Sequence, residues 1–131
     1  MSDGRTDAGI IDALMSRLPR YGFVPFRVRT ESDGLILNRV WAAIKRECLM
    51  VVEEGVAAPE DVDRMCRLFT ASGLAPFQLM DRVGLDVVLD IDEHCAAVRP
   101  GLPEGPRRLL CRYVERGWLG VKTGRGFYET G

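Results

Sequence analysis

The chain has 131 residues and carries 18 Lys and Arg against 19 Asp and Glu, a formal net charge of −1 with a pI near 5.9. That balance excludes a generic nucleic-acid binder, which shows a basic stripe and a high pI, and a polybasic membrane-surface protein. With 47% hydrophobic and 28% charged residues the composition is that of a folded chain, and the length suits one domain.

Ile10, Ile11, Leu14, Met15 and Leu18 recur at helical spacing, which predicts a first helix with Thr6 as a candidate cap and Pro19 and Gly22 as its end. Val24, Phe26 and Val28 then alternate with Pro25, Arg27 and Arg29, a strand pattern, with Pro25 pointing to an edge. One helix and one strand cannot build a sheet alone. The opening reads as the last α–β unit of a larger α/β layer.

Ser32-Asp33-Gly34 predicts the start of a second helix running to Glu54, with Gly55 as its stop. Leu37, Val40, Trp41, Ile44, Cys48, Val51 and Val52 form its apolar stripe, and Arg39, Lys45, Arg46, Glu47, Glu53 and Glu54 lie largely off it. Pro59 with Glu60 and Asp61 starts a third helix through about Phe69, closed by Gly73. Pro76 starts a short fourth helix to Val83, stopped by Gly84. Asp86 is a candidate cap for a fifth helix through about Val98. A stiff loop, 100–106, leads into a sixth helix with Leu109, Leu110, Tyr113 and Val114 inward and Gly117 at its end. The tail sets Gly120, Gly124 and Gly126 around Lys122, Thr123 and Arg125, followed by Phe127 and Tyr128. No run of about 18 apolar residues predicts a membrane span. The N-terminus lacks the pattern of a signal peptide or presequence, so the cytoplasm is the expected location.

Several segments invite chemistry. Gly120–Gly126 resembles a phosphate loop, but Val121 stands where Gly must precede Lys-Thr, and a following helix has no room. A tight turn docked by Phe127 and Tyr128 is the simpler reading. His94, the single histidine, is a conceivable general base, yet its neighbour Cys95 does not face it on a helix, and a surface or packing role is favoured. Asn38, near the start of the second helix, is able to cap, to satisfy a neighbour or to meet a ligand. Trp41 and Trp118 read as packing residues. The cysteines at 48, 66, 95 and 111 form no C-x-x-C pair, and with one histidine they do not predict a zinc site; free, mostly buried thiols are expected.

Four segments together resemble a known family. Asp33-Gly34-Leu35-Ile36-Leu37-Asn38-Arg39 is similar to the G-F-I-x-N-R entry helix of 3-hydroxyacyl-CoA dehydrogenases, and Glu53-Glu54-Gly55-Val56-Ala57-Ala58-Pro59-Glu60-Asp61-Val62-Asp63 to their E-G-V-A-x-P-E-D-I-D. Ala75-Pro76-Phe77-Gln78-Leu79-Met80-Asp81, with Gly84-Leu85-Asp86, resembles G-P-F-x-L-x-D…G-L-D. Residues 117–128 resemble the closing G-x-L-G-x-K-T-G-x-G-F-Y. The wording of the strand segment leans toward the lambda-crystallin-like branch. Ala75 and Leu35 depart from the glycine and phenylalanine common at those positions.

The resemblance implies a mainly α fold, the six-helix C-terminal-domain bundle, at 30–131. It makes 1–29 a helix–strand remnant of a Rossmann-type NAD-binding domain. It implies an NAD-dependent oxidation of a 3-hydroxyacyl-CoA or related 3-hydroxy acid, to which this chain supplies the substrate cleft and dimer interface. The family's catalytic His–Glu pair and glycine-rich NAD loop precede the matching region, so the chain alone is expected to bind no cofactor and to be inactive. Asn38 carries over as the residue that positions substrate and base. Lys122 and Thr123, with Gly124, carry over the closing motif and are cleft candidates. Expected partners are a second copy in a homodimer, a separate NAD-binding chain and an acyl-CoA ligand. The alternative is a catalytically inactive dimerisation or acyl-binding module.

Overall fold

The computed structural model describes residues 6–129, and the chain divides into two compact units, Met1–Trp41 and Ala42–Gly131. Six α-helices occur among the described residues: α1 Ala8–Arg17, α2 Leu37–Glu53, α3 Pro59–Thr70, α4 Pro76–Val83, α5 Leu85–Val98 and α6 Gly105–Val114.

In the first unit, α1 is capped by Asp7 rather than Thr6: its carboxylate accepts from the Gly9 amide at 2.6 Å. A 3-10 turn, Leu18–Tyr21, carries Pro19 and ends on Gly22 at φ 81°. Residues 23–28 form no strand, a correction to the alternation of Val24, Phe26 and Val28. A strand exists by its ladder, and no described segment pairs with this one. The side chains a sheet would cover stay open, with Val24 76% and Phe26 77% exposed. An Arg27–Asp12 ion pair ties the segment to α1.

α2 begins three residues past Gly34, later than expected. Gly34 and Leu35 both hold positive φ, 76° and 52°, so the chain makes a left-handed turn before it can enter the helix. Gly34 is needed there: a Cβ on it would lie 3.2 Å from Asn38 Cβ and 3.1 Å from the Arg39 amide nitrogen. The Arg39 guanidinium donates to Ser32 Oγ at 3.0 Å across this turn.

The core lies in the second unit. Leu49, Phe77, Met80, Leu85, Val88, Leu109 and Leu110 are buried there, and Phe127 closes the cluster. The apolar stripe of α2 is thus core-forming only from Ala42 onward; Leu37 and Val40 are exposed. Lys45 is buried, not off the stripe, and burial lowers its ammonium pKa against the opposing pull of Asp92 on α5. At the far end of α2, Glu53 meets Arg108 Nε at 2.6 Å and also Arg112, which fastens α2 to α6. Gly55 follows at φ 71° as the expected stop. α3 ends on Ala71, at φ 50°, before Gly73 is reached.

Candidate functional site

The closing segment is organised by two buried aspartates. Asp63, on α3 and fully buried, reaches the first turn of α4: its carboxylate accepts from the amides of Phe77 at 2.8 Å and Gln78 at 3.0 Å. A carboxylate at a helix N-terminus answers both the unpaired amides and the positive end of the helix dipole. Asp81, on the same α4, accepts from the amides of Phe127 at 3.0 Å and Tyr128 at 2.9 Å. Tyr128 completes the bridge by donating its hydroxyl to Asp63 at 2.8 Å. Burial raises the Asp81 carboxyl pKa, the Phe127 and Tyr128 amides pull it back, and the Asp63 charge raises it further. The Tyr128 phenol is pushed up first by burial and then by its bond to Asp63.

This arrangement dictates the glycines. A Cβ on Gly120 would lie 2.8 Å from Asp81 Cα, and one on Gly126 would lie 2.6 Å from Asp81 Cγ. The backbone between them folds into a 3-10 turn, Val121–Thr123, and isolated bridges join Gly120 to Arg125 and Arg125 to Glu129. Phe127 packs edge-on against Phe77 at 4.7 Å and at a tilt against Tyr113 at 4.5 Å. The Arg125 guanidinium lies 3.9 Å over the Trp118 ring, a packing role for that indole. A glycine loop folded against an aspartate does not fit a dinucleotide pyrophosphate, which requires open amides and no facing carboxylate.

Lys122 and Thr123 are both engaged within this segment. Lys122 Nζ sits 2.6 Å from Asp86, whose carboxyl pKa is lowered by that contact. Asp86 therefore braces the turn from the first turn of α5 instead of capping the helix, and Gly84 holds the cap position. Thr123 Oγ1 accepts from the Leu119 amide at 2.9 Å. Asn38 belongs to the first unit, as the second residue of α2, with its side chain exposed. His94 is exposed on α5. Of the free thiols, Cys48 is buried and Cys66, Cys95 and Cys111 are half-buried.

Asp63 and Asp81 were legible in the sequence only as members of quoted motifs. The signal that could have marked them is an acid at a core position, since Asp63 shares its helix face with Cys66 and Asp81 directly follows Met80. A buried carboxylate needs donors, and these two find them in backbone amides and a tyrosine hydroxyl.

The chain matches the sequence family described as the C-terminal domain of 3-hydroxyacyl-CoA dehydrogenase over residues 34–130. It is 38% identical over 131 residues to the 3-hydroxyacyl-CoA dehydrogenase-like protein LAM1 of Cochliobolus heterostrophus, covering 98% of this chain and 28% of that protein. It is 40% identical over 99 residues to a probable 3-hydroxybutyryl-CoA dehydrogenase of Bacillus subtilis, covering 73% of this chain and 33% of the relative. Its structure is similar to that of (S)-3-hydroxybutyryl-CoA dehydrogenase PaaH1 from Ralstonia eutropha, with a TM-score of 0.80 and 29% identity over 97% of this chain and 44% of that one. The chain belongs to the 3-hydroxyacyl-CoA dehydrogenase C-terminal-domain family. It spans about a third of the length of the curated relatives it matches. No helix among the described residues is long and apolar enough to cross a membrane.

Proposed function

We propose that this chain supplies the substrate-cleft and dimerisation part of an NAD-dependent oxidoreductase acting on a 3-hydroxyacyl-CoA or a related 3-hydroxy acid. The observation that carries this reading is Asn38. Its amide projects into solvent from the first turn of α2, and the crowded Gly34 turn fixes where that turn begins. A carboxamide so placed offers two N–H donors and one acceptor oxygen, which suits it to orient a substrate hydroxyl or thioester carbonyl and the base beside it. In the second unit, Lys122 and Thr123 brace the closing turn. The base, the hydride acceptor and their binding fold would come from an NAD-binding part, either preceding this region in a longer chain or carried by a separate one.

The first unit supports that proposal. Between α1 and residues 25–31 lies an open apolar cleft of about 730 Å³, lined by Ile11, Leu14, Met15, Leu18, Phe26 and Val28. Such a surface suits the edge of an α/β layer. Residues 1–29 are accordingly proposed as the end of an NAD-binding domain, and 30–131 as the helical domain.

A second reading is an inactive dimerisation or acyl-binding module, and it too has a surface to use in the outer face of α3. Met65, Leu68 and Phe69 stand there in one stripe, 65%, 72% and 87% exposed. In either reading this face is proposed to meet a second copy. Sedimentation at micromolar concentration is expected to show a dimer that Leu68→Asp splits into monomers; a parent chain that runs as a monomer would refute the dimer. Activity separates the two readings. A chimera in which residues 30–131 replace the helical domain of an intact relative turns over 3-hydroxyacyl-CoA under the first and does not under the second.

A further inference from the structure

We propose that a cavity beside the start of α4 binds a short aliphatic carboxylate. The proposal is independent of the dehydrogenase reading. The cavity, of about 250 Å³, is lined by residues 72–75 ahead of α4 and by Gln78, Leu79 and Arg82 on it. That is room for a ligand of several heavy atoms, since a water in the liquid occupies about 30 Å³. Gln78 and Arg82 stand one helical turn apart and so share a face of α4. No acidic side chain lines the cavity, and Arg82 makes no ion pair among the described residues.

The backbone of the lining is short of acceptors. The amides of Gly73, Leu74 and Ala75 donate to no protein group among the described residues, although Ala75 is buried. Pro76 has no N–H, and the Phe77 and Gln78 amides are already taken by Asp63. Buried backbone donors in folded proteins are paired with protein, water or a ligand. Three such amides, a guanidinium and a carboxamide around one cavity call for a negatively charged acceptor. A carboxylate answers that set. Its two oxygens match the planar fork of Arg82, and the Gln78 amide group and the loop N–H groups supply further donors. Leu74 and Leu79 give the same cavity an apolar wall, which suits a short hydrocarbon tail and not an inorganic anion. Ser72 takes no part as a donor, because its hydroxyl donates to Thr70 Oγ1 at 2.8 Å.

The test titrates the isotope-labelled full chain with butyrate at constant ionic strength and follows backbone amide and arginine Nε signals by NMR. Saturable shifts are expected at Gly73, Leu74, Ala75 and the Arg82 side chain. Butyramide keeps the shape and loses the charge, and it should bind at least about 10-fold more weakly, the scale of one charge-assisted pair. Arg82→Gln should weaken butyrate by a similar factor, with Arg82→Lys in between because it keeps the charge without the fork. Arg82 is exposed, so its variants should keep the circular dichroism of the parent. If Arg82→Gln fails to fold, butyrate against butyramide on the parent decides alone. Shifts that never saturate or that fall outside the cavity would overturn the proposal. So would equal binding of butyramide, an equal response to sulfate (an adventitious ion only), or unchanged affinity in folded Arg82→Gln.

Discussion

Asp81 shows how much one buried carboxylate organises. It satisfies two backbone amides of the closing segment, while Gly120 and Gly126 are the residues small enough to approach it. Replacing it with alanine strands both donors inside the protein, where each unsatisfied group costs about 1–3 kcal/mol. Asp81→Ala should therefore lower unfolding stability by about 3 kcal/mol in a urea titration, and a loss below about 0.5 kcal/mol would contradict its role as an anchor. Glu53 makes the complementary case where α2 meets α6, its side chain 8% exposed beside two more exposed arginines. Its bonds to Arg112 and then Arg108 draw its carboxyl down to about 2 from the ordinary 4.5. A carboxyl with a depressed folded-state pKa contributes stability above the unfolded value and loses it as the pH falls. The stability gap between the parent and Glu53→Gln should thus be constant above pH 4.5 and close as the pH approaches 2. With Arg108 63% and Arg112 44% exposed, the gap should also shrink in high salt. A gap independent of pH would sink this assignment.

At the scale of elements, the helices were legible because their punctuation is covalent. Pro59 and Pro76 sit in first turns, and Gly55, Gly84 and Gly117 adopt the positive φ that only glycine takes without strain. What the sequence hid depended on neighbours. The 23–29 alternation predicts a strand, but a strand is completed by a partner, and residues 23–28 form none. The start of α2 moved because Leu35, not glycine, follows Gly34 into the left-handed region, a tertiary choice that propensity does not register. Lys45 looked like a solvated residue and became a buried one because α2 is enclosed from Ala42 onward. Asn38 stood out by its place near the start of α2, but one role among several could be chosen for it only through its motif, since an exposed amide leaves no mark in hydrophobic periodicity. The same physics gives a prediction at the end of α3. Ala71 sits at φ 50° in an exposed cap, a conformation that costs a non-glycine residue about 1–2 kcal/mol. After the extra chain entropy of glycine is subtracted, Ala71→Gly should stabilise the protein by about 0.5–1 kcal/mol, seen as a rise in Tm. A fall in Tm would show that the left-handed cap is not what ends this helix.

For the whole molecule, the structure divides labour between a packed helical unit and a first unit rich in exposed apolar side chains. The helical unit gives its buried Asp63, Asp81 and Asp92 donors of its own and closes its tail on the first two. The first unit leaves Phe23, Val24 and Phe26 uncovered and places Asn38 at the start of the helix that leads into the second. Both features suit a part that works beside another folded body. The measurement that bears most directly on this account is the oxidation of 3-hydroxyacyl-CoA by a chimera joining the NAD-binding part of the Bacillus subtilis relative to residues 30–131. The account predicts turnover, and a loss of kcat/KM of about 100-fold with Asn38→Ala, the size expected for removing one positioning group in an enclosed site. A folded chimera that does not turn over, or one that works equally well with Asn38→Ala, would contradict it.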